Sequence, residues 1–451
     1  MKVAKFGGTS LAGAQQIKTV CDVVLADSAR KYVVVSAPGK RSKTDTKVTD
    51  LLIAAAEKYL STKSAEKEIM AVISRYREIA DELSVPNDIM GTIEKDFRSR
   101  LVSHTSDREK YLDNMKAAGE DNCAKLVAAY LVSRGVKAQY VNPRTAGLMV
   151  SDEFGNAQVL EKSYDSLKKL KNAKGIVIFP GFFGFSPRGD IVTFPRGGSD
   201  ITGAILARAV GAEVYENFTD VDSVFAASPA IVKNPAPIAE LTYREMRELS
   251  YAGFSVFHEE ALVPAYQGGV PVNVRNTNNP SAPGTRIVQR RTITDTPVVG
   301  IASDAGFACI YLSKYLMNRE IGFGRRLLKI LEEEKIPFEH MPSGIDNLSV
   351  IVREKFFDAV TEKRVLAKIR NELKVDDVAV ERGIAILMVV GEGMRHIVGI
   401  AGRITGALAK ANVNIEIINQ GSSEVSMMFG IKAKDNAKAV AAIYGEFFGR
   451  A

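Results

Sequence analysis

The sequence is poor in the residue types that build covalent or metal-bound frameworks. Its three cysteines, Cys21, Cys123 and Cys309, are odd in number and far apart, so no disulfide framework is implied. The four histidines are scattered, and no cysteine or histidine pair has the spacing of metal ligands. These absences argue against a disulfide scaffold and against a metalloenzyme, and we predict no metal site built by the protein alone.

Long apolar runs and blocks of like charge are also missing. No segment approaches the length of a membrane span, and the first residues lack the apolar core of a signal peptide. The formal charge of +7 is spread along the chain, so no charged tail indicates nucleic-acid binding. We therefore predict a cytoplasmic protein that binds neither membranes nor nucleic acid.

Familiar catalytic and nucleotide motifs are absent too. The stretch SAPGKRS, residues 36–42, is not a Walker motif, because Val34 replaces the leading glycine and Arg41 replaces the metal-binding hydroxyl residue. GEGMRH, residues 391–396, lacks the third glycine of a dinucleotide fingerprint and is predicted to be a turn. No Gly-x-Ser-x-Gly nucleophile elbow occurs. Hydrolase chemistry is therefore disfavoured.

What the chain does contain is a long alternation of short apolar runs and helical stretches. Its 451 residues suggest about three domains. Up to about residue 288 the alternation predicts a mostly parallel sheet covered by helices on both faces. Residues 56–117 are charged and helix-forming, which indicates a helical insertion. The turn-rich stretch NTNNPSAPGT, residues 276–285, marks the end of this domain.

A repeat follows that domain. Residues 321–352 and 398–431 share one template: a glycine turn, a helix with arginine in its first turn, a strand, a small polar loop and a second strand. Gly324-Arg325 and Gly402-Arg403 occupy matching places, and a second helix follows each copy. Two β-α-β-β-α-β units are therefore predicted. They resemble ACT domains, which bind amino acids near the first turn; a purely structural pair is the alternative.

The opening stretch KFGGTS is the first candidate for chemistry. Lys2 to Phe6 alternates as a strand, Gly7 and Gly8 break it, and Thr9-Ser10 stands where a helix N-cap is expected. A strand, a glycine turn and a helix start aim backbone N–H groups at one point, which suits an anion. A tight turn with an exposed lysine is the alternative.

Three further turns carry charged or hydroxyl side chains. In FPRGGSD, Arg196 can bind a carboxylate or phosphate through two parallel bonds, and Asp200 can orient a lysine or meet magnesium. In MKAAGED, Glu120 is predicted in a glycine turn before a helix over 122–133, where it could hold an ammonium group. ENFTDVDSVF, residues 216–225, is either a nucleotide-binding loop or an Asx turn. An exposed loop with a capping Asp200 and a first-turn acid at Glu120 are the alternatives.

Together these motifs resemble the aspartokinase family across nearly the whole chain. The resemblance is carried by KFGGTS, SAPG followed by TDLL, GED, RGGSD, FTDVDSVF and FHEEALVPA, and then by the paired ACT-like units. It implies an α/β fold in which an amino-acid-kinase-like, parallel-rich sheet lies between helical layers, followed by two α+β (βαββαβ) units. The implied domains are a catalytic domain over 1–290 and ACT-like units over 296–380 and 381–451.

The implied reaction is phosphoryl transfer from ATP, with Mg²⁺, to the side-chain carboxylate of L-aspartate, and no tightly bound organic cofactor is expected. A carboxylate nucleophile is already ionised at neutral pH, so the lack of a poised histidine is consistent with this chemistry. The resemblance implies catalytic roles for Lys5 and Asp200. It implies substrate binding by Ser36, Thr49, Glu120, Arg196 and Ser199. It implies ATP binding by Lys5, Gly7, Gly8, Thr219, Asp220, Phe225, Ala230, Ser255 and Val256.

Regulation and assembly are further implications of the resemblance. The product leads toward lysine, threonine and methionine, and lysine or threonine or both are the expected effectors. The predicted effector pocket consists of Met317, Gly322, Phe323, Gly324, Glu339, Ser343 and Asp346. ACT-like units commonly pair, so a homodimer or a dimer of dimers is expected, and at this length no attached dehydrogenase is expected.

The chain departs from the family on the nucleotide side. Many members have Tyr at Phe225, Arg at Ala230 and Lys at Ser255, and His258-Glu259 replaces a His-Pro pair. Losing an arginine and a lysine near phosphates removes two charge-assisted contacts, for which Lys233 or a partner loop could compensate. Two alternatives stay open at this point: an amino-acid-sensing regulatory protein, and a relative that acts on glutamate or a carbamate.

Overall fold

The computed structural model describes residues 1–254, 259–293, 296–395, 397–421 and 425–449. These residues form two compact units. The first comprises the described residues of 1–224, 237–243 and 255–291, and the second those of 225–236, 244–254 and 292–451. None of the helices within these ranges combines the length and apolar character needed to cross a membrane.

An eight-stranded sheet organises the first unit, with strand order β3-β4-β2-β1-β7-β9-β10-β8. The strands of this sheet are β1 (Lys2–Phe6), β2 (Arg30–Val35), β3 (Ala138–Tyr140), β4 (Ile176–Pro180), β7 (Val214–Thr219), β8 (Glu240–Thr242), β9 (Val272–Asn276) and β10 (Thr285–Val288). A separate hairpin consists of β5 (Phe183–Phe185) and β6 (Ile191–Thr193). Every neighbouring pair in the large sheet is parallel except β9–β10. The predicted parallel-rich sheet is therefore confirmed.

Helices connect and cover these strands. Up to residue 267 they are α1 (Ala14–Leu25), α2 (Val48–Thr62), α3 (Glu66–Leu83), α4 (Asn87–Val102), α5 (Arg108–Ser133), α6 (Pro143–Ala146), α7 (Lys162–Leu167), α8 (Gly198–Val210), α9 (Tyr243–Tyr251) and α10 (Val263–Gln267). The predicted helical insertion corresponds to α2–α4 and the first part of α5. From residue 244 on, α9 belongs to the second unit.

The strands of this sheet are apolar because both of their faces are covered. In β2, all four residues from Tyr32 to Val35 are fully buried. In α1 the apolar residues at helical spacing, among them Ile17, Val20 and Cys21, form the buried face. This pattern is typical of parallel strands packed between helices. The three cysteines are free and buried.

The start of the first helix differs from its prediction. Residues Gly8–Leu11 form a short 3-10 turn, and α1 begins at Ala14 after an extended Gly13 that supplies no side-chain cap. The predicted N-cap at Thr9-Ser10 is therefore wrong. The Ser10 hydroxyl is instead paired with the hydroxyl of Thr277 at 2.7 Å, so it ties the loop after β1 to the segment after β9.

The second unit contains a six-stranded antiparallel sheet of order β12-β13-β11-β14-β16-β15. Its strands are β11 (Gly300–Ser313), β12 (Phe338–His340), β13 (Asn347–Arg353), β14 (Asp377–Val390), β15 (Ile417–Gln420) and β16 (Ser426–Lys432). Its later helices are α11 (Phe323–Glu333), α12 (Ala359–Lys368), α13 (Ile400–Lys410) and α14 (Asn436–Phe448). The matching helices α11 and α13 both start after a left-handed glycine, Gly322 and Gly399.

The two copies of the repeat share their central strands. In the first copy, residues 307–313 of β11 pair with β13 and with residues 377–381 of β14. In the second copy, residues 384–390 of β14 pair with β16 and with residues 300–305 of β11. The first copy is thus β-α-β-β-α-β in chain order. The second takes its last strand from the beginning of β11, which the sequence analysis did not anticipate.

Two segments placed in the first domain by the sequence analysis belong to the second unit in the structure. These are residues 225–236 and 244–254. The amide of Ile301 donates to the carbonyl of Ala226 at 2.7 Å, which attaches the first segment to the start of β11. The amide of Ala236 donates to the Tyr444 hydroxyl at 2.8 Å, which attaches the same segment to α14.

Candidate active site

A buried lysine lies at the end of β1. Lys5 is 8% exposed, and its Nζ lies 2.6 Å from Oδ1 of Asp200. A Cβ added to Gly7 would come 3.6 Å from Nζ, so the lysine lies beside the glycine turn. A Cβ on Gly8 would come 2.9 Å from the Ala37 carbonyl oxygen. Glycine at position 8 is therefore required by a close approach between two loops.

Asp200 is positioned by the start of α8. Gly197 adopts a left-handed φ of +80° just before this helix, which places Asp200 in its first turn. Its Oδ1 accepts a second hydrogen bond, from Nδ2 of Asn217 at 2.5 Å. The N-terminus of this helix carries free N–H groups and a positive dipole end, so the lysine and the helix together favour an anion.

Asn217 and Tyr215 are site residues that the sequence analysis missed. In the parallel pairing of β1 and β7, Lys5 lies opposite Asn217. The Tyr215 hydroxyl donates to the carbonyl oxygen of Asp200 at 3.1 Å and accepts from Asn217 at 3.1 Å. Both residues lie in β7, which extends to Thr219, so the first residues of the stretch 216–225 are strand rather than the predicted loop or turn. The register of β7 against β1 could have identified both residues, because polar side chains inside a buried strand need hydrogen-bond partners.

Arg196 and Ser199 flank the same turn. Arg196 is exposed, and its side chain forms no ion pair or hydrogen bond with any residue that the structure describes. Ser199 is buried, and a Cβ on Gly181 would come within 2.5 Å of its hydroxyl oxygen. The turn thus carries the exposed guanidinium group of Arg196, which has no partner among the described residues. It also carries the hydroxyl group of Ser199, which packs against the backbone after β4.

Glu120 lies inside α5 rather than in a turn before a helix. That prediction is wrong, and so is the alternative of a first-turn acid. Glu120 is 5% exposed, and its Oε2 is buried without a hydrogen-bond partner among the described residues. Burial raises the pKa of Glu120 to about 8, while the Ala37 and Glu120 amides and Lys47 oppose the shift. An unpaired buried carboxyl group of this kind is ready to accept a cation.

Ser36 and Thr49 lie in the segment that faces α5. The Ser36 amide donates to the carbonyl of Phe6 at 3.2 Å, which fixes it at the end of β2. Thr49 is in the first turn of α2. A Cβ on Gly119 would come 2.8 Å from Cβ of Ala37, so α5 and this segment are in tight contact beside Glu120.

The residues predicted to bind ATP are divided between the two units. β7 ends at Thr219 and Asp220 follows it, and the Thr219 hydroxyl donates to the Asp220 carboxylate at 3.2 Å. Phe225 and Ala230 fall in the second unit, where Phe225 is half-buried and Ala230 is exposed. Ser255 and Val256 lie outside the described residues, as does His258.

Asp200 is the residue at this site that could bind a magnesium ion. Within the ranges the structure covers, no three His, Cys, Asp or Glu side chains are grouped as a metal cluster. Asp200 is a carboxylate beside Lys5, and its Oδ1 is the oxygen that Lys5 and Asn217 contact. Oδ2 remains for a hard cation whose other ligands are phosphate oxygens, which is the usual environment of Mg²⁺ with a nucleotide.

A second candidate site lies in the second unit, at the first copy of the repeat. Met317 is buried, and the Asn318 amide donates to the Ile345 carbonyl at 3.2 Å, so this turn contacts the loop that carries Ser343 and Asp346. Oδ1 of Asp346 accepts from the Leu316 amide at 2.9 Å. The other residues predicted for this turn, at the start of α11, are Gly322, Phe323 and Gly324.

Glu339 is not brought to this turn. Its carboxylate pairs with Arg353 at 3.1 Å and also accepts a hydrogen bond from the Tyr251 hydroxyl. The groove along α11 is lined by Gly324, Phe338 and Met341 among others, and Glu339 is not part of that lining. The corresponding loop of the second copy, residues 422–424, lies outside the described residues.

Comparison with known proteins relates both units to characterised families. The amino acid kinase family matches residues 1–276, and the ACT domain matches residues 387–447. Aspartokinase 3 of Bacillus subtilis (strain 168) is 59% identical over 448 residues, which cover 99% of each chain. Similarity thus extends over nearly the full length of that relative.

Solved structures show the same relationship. Clostridium acetobutylicum aspartate kinase matches with a TM-score of 0.90 and 37% identity, covering 99% of this chain and 100% of its own. E. coli aspartokinase III in complex with aspartate and ADP (R-state) matches with a TM-score of 0.79 and 25% identity, covering 99% and 100%. The same protein in complex with lysine and aspartate (T-state) gives 0.81 and 26%, covering 99% of both chains.

Proposed function

The chain belongs to the amino acid kinase family and is an aspartate kinase, and from that premise we propose how its residues perform and control the reaction. Both the predicted family and the predicted fold class are confirmed by the comparisons. The observation that carries the assignment of catalytic roles is the buried Lys5–Asp200 pair beside the glycine turn and the start of α8.

The side-chain carboxylate of aspartate attacks the γ-phosphorus of ATP, and ADP leaves. The nucleophile is ionised at neutral pH and needs no general base. The protein's task is to hold the two anions together and to stabilise the charge of the transferring phosphoryl group. Lys5 supplies that positive charge, and Asp200 keeps its Nζ in place while Asn217 holds Asp200.

Aspartate is held by groups that match its charges. The free guanidinium of Arg196 binds a carboxylate of aspartate through two parallel bonds. The buried carboxyl group of Glu120 binds the ammonium group. Ser36, Thr49 and Ser199 supply the remaining hydrogen bonds. The contacts that support this proposal are the tight packing of α5 on Ala37 and the unsatisfied Oε2 of Glu120.

ATP is the co-substrate, and we propose that it binds with Mg²⁺ at the loop after β1. Lys5, Gly7, Gly8, Thr219 and Asp220 surround the end of β1 and β7, the neighbouring strands of the sheet. Mg²⁺ bound to the phosphates would supply charge neutralisation, with Asp200 as its protein ligand. Phe225, Ala230, Ser255 and Val256 remain sequence-based predictions for nucleotide binding.

An ADP-release assay with purified protein tests the proposed substrate specificity. We expect release of ADP that depends on aspartate and is at least tenfold slower with glutamate, because the longer side chain displaces the nucleophile from the phosphorus. Faster turnover with glutamate would contradict the proposed substrate contacts. ADP release without any amino acid would favour a simple ATPase.

The affinity for aspartate should increase with pH between 6 and 8. The pKa of Glu120 is raised to about 8, with burial as the main cause, so the unliganded protein holds this carboxyl group protonated near pH 7. Binding an ammonium group requires the carboxylate, so aspartate binding releases a proton. We expect up to about tenfold tighter binding per pH unit well below the pKa. Isothermal titration calorimetry in two buffers of different ionisation enthalpy measures both effects.

The control for this prediction is Glu120→Gln, which keeps the shape and removes the titration. It should bind aspartate more weakly and with no pH dependence. The titratable neighbours of Glu120 are Lys47, Asp121, Tyr76 and Cys123, and burial holds the Tyr76 and Cys123 pKa values above their usual range, so both stay neutral. A wild-type affinity that is flat from pH 6 to 8 would contradict the role of Glu120.

The same shift acts on the stability of the unliganded protein. The folded-state pKa of Glu120 lies above its ordinary value of 4.5, so folding favours the protonated form. Its contribution to the free energy of unfolding is complete at acidic pH and is lost as pH rises through about 8. Aspartate should therefore stabilise the protein more strongly at pH 8 than at pH 6.

We propose that an end-product amino acid, lysine or threonine or both, inhibits at the turn between β11 and α11. The free N–H groups at the start of α11 would bind its carboxylate, and Asp346 would bind its amino group. E. coli aspartokinase III, a relative of 26% identity, has been solved in complex with lysine and aspartate in its T-state. Oδ1 of Asp346 already holds the Leu316 amide, which shapes the turn for a ligand.

Asp346→Asn should relieve this inhibition and leave uninhibited turnover within about twofold. Asparagine keeps an acceptor for the Leu316 amide and removes the charge that meets the amino group. Because allosteric couplings are typically worth 5- to 150-fold, the inhibitory concentration should rise by roughly tenfold or more. Dose–response curves with lysine and with threonine measure it, and Asp376→Asn, which removes a charge beside Tyr315, is the matched control. Unchanged inhibition of Asp346→Asn would show that the effector does not bind at this turn.

The remaining assignments are proposals of the same kind. The catalytic domain would extend over 1–290 and the ACT-like units over 296–380 and 381–451. The product would feed the synthesis of lysine, threonine and methionine in the cytoplasm. The protein would be a homodimer or a dimer of dimers formed through its ACT-like units. Sedimentation velocity, with and without the effector, tests the assembly.

A further inference from the structure

The helical insertion between β2 and β3 sends a charged side chain toward the loops of the first unit. Arg75 lies on α3 and is only 4% exposed. Its Nη2 donates to the carbonyl oxygens of Ala12 and Gly39, each at 2.9 Å. Ala12 belongs to the loop that follows β1, and Gly39 belongs to the loop that follows β2. One guanidinium group therefore contacts both loops at once.

The two loops also meet each other, through their backbones. The Gly39 amide donates to the Gly8 carbonyl at 2.8 Å. A Cβ added to Gly39 would come within 2.5 Å of the Gly8 carbonyl carbon, which is too close for any side chain. No side chain interlocks at this contact, and the guanidinium of Arg75 adds hydrogen bonds to both loops beside it.

The charge of this guanidinium group is compensated locally. Nη1 of Arg75 lies 2.8 Å from Oδ2 of Asp45, whose side chain is 17% exposed. Asp45 also accepts from the Arg41 amide at 2.8 Å and from its Nε at 3.1 Å. These hydrogen bonds, from Arg41 first and then from Arg75, hold the pKa of Asp45 well below its ordinary value. The carboxylate stays ionised and offsets the cost of burying a guanidinium.

We propose that Arg75 is a positioning residue for phosphoryl transfer, because it fixes the phosphate-binding loop of residues 7–12 against the aspartate-side loop of residues 36–40. The inference rests on the proposed function, in which Lys5, Gly7 and Gly8 hold the phosphates and Ser36 belongs to the aspartate site. Arg75 touches neither substrate. It sets the distance between the two anions, so its loss should slow the transfer step more than it weakens binding of either substrate.

The test is steady-state kinetics of the full chain with Arg75→Lys and Arg75→Met. Lysine keeps the charge beside Asp45 but lacks the planar fork needed to reach two carbonyl groups and a carboxylate together. We expect Arg75→Lys to keep a melting temperature near that of the wild type. Its kcat should fall by roughly 10²-fold, as for reacting groups displaced by about 1 Å, with each KM within about threefold. Arg77→Met is the control, because Arg77 lies on the same helix, half exposed, and pairs with Glu94.

Hydrogen–deuterium exchange provides a readout that does not depend on turnover. In Arg75→Lys the amides of residues 8–12 and 36–40 should both exchange faster, while those of α3 and α5 should not change. A folded Arg75→Lys with wild-type kcat would overturn the inference, and so would faster exchange in one loop alone. If Arg75→Met proves unstable, Arg75→Lys alone decides between these results.

The failure of this inference is distinguishable from failure of the proposed function. If Lys5→Ala keeps near-wild-type turnover, the assigned roles of the loops are wrong whatever Arg75 does. If Lys5→Ala inactivates and Arg75→Lys does not, the catalytic roles stand and only the role of Arg75 is rejected.

Discussion

Replacing Lys5 by alanine should lower kcat by about 10² to 10³, the range found when one preorganised charge-stabilising group is removed. The structure strengthens the physical basis of this expectation. Lys5 is 8% exposed and its Nζ is fixed 2.6 Å from Asp200, so the positive charge is already in place before the substrate binds. A solvent-exposed lysine would have to be ordered during the reaction. Stopped-flow or coupled measurement of ADP release gives kcat directly.

Two comparisons separate catalysis from stability in this experiment. Lys2 lies on the same strand and forms a half-exposed ion pair with Asp27 at 2.8 Å, so Lys2→Ala should leave kcat unchanged. Asp200→Asn should lower kcat as well, since it releases Lys5 and weakens the contact with Asn217. Turnover of Lys5→Ala within a few-fold of the wild type would show that this lysine only compensates the charge of Asp200.

Arg196→Ala should lower kcat/KM for aspartate by roughly 10- to 100-fold and leave the KM for ATP nearly unchanged. A hydrogen-bonded contact between charged groups contributes about 1.5–3 kcal/mol, which corresponds to that range. The guanidinium is exposed and has no partner among the described residues, so removing it leaves no buried charge and should not unfold the protein. Initial rates over a matrix of ATP and aspartate concentrations measure both constants.

The matched control is Arg188→Ala. Arg188 lies in the turn between β5 and β6, is 80% exposed and pairs with Asp152. Like Arg196 it is an exposed arginine, but no role in binding aspartate is assigned to it. Arg196→Lys should recover little activity, because an ammonium group cannot make the two parallel bonds of a guanidinium. If Arg196→Ala changed only the KM for ATP, Arg196 would be assigned to the phosphates of ATP instead of aspartate.

The sequence allowed the turns that carry Lys5 and Asp200 to be predicted because each one is local. The strand and the two glycines that follow it are contiguous in the chain, and so is the stretch from Arg196 to Asp200. Glu120 was placed in the wrong element because Gly119 was interpreted as a turn. In the structure this glycine lies within α5, and its lack of a side chain permits the close packing on Ala37. Glycine spacing alone does not distinguish a turn from a helix contact.

The other features that the sequence did not reveal depend on register between distant segments. Asn217 faces Lys5 because β7 pairs with β1, and their positions are more than two hundred residues apart. The same holds for Arg75, which reaches two loops from a helix whose charged residues gave no sign of burial. Polar groups of this kind become visible only when the partners that satisfy them are brought together by the fold.

The two copies of the repeat share β11 and β14, so neither copy can be deleted without disrupting the sheet of the other. Removing the second copy would strip residues 300–305 of their partner strand and leave an unpaired edge, a surface prone to aggregation. Neither copy is therefore a transferable module. Selection would act on the pair as one inseparable part, and a truncated gene that ends between the copies should yield an insoluble product rather than an enzyme freed from control.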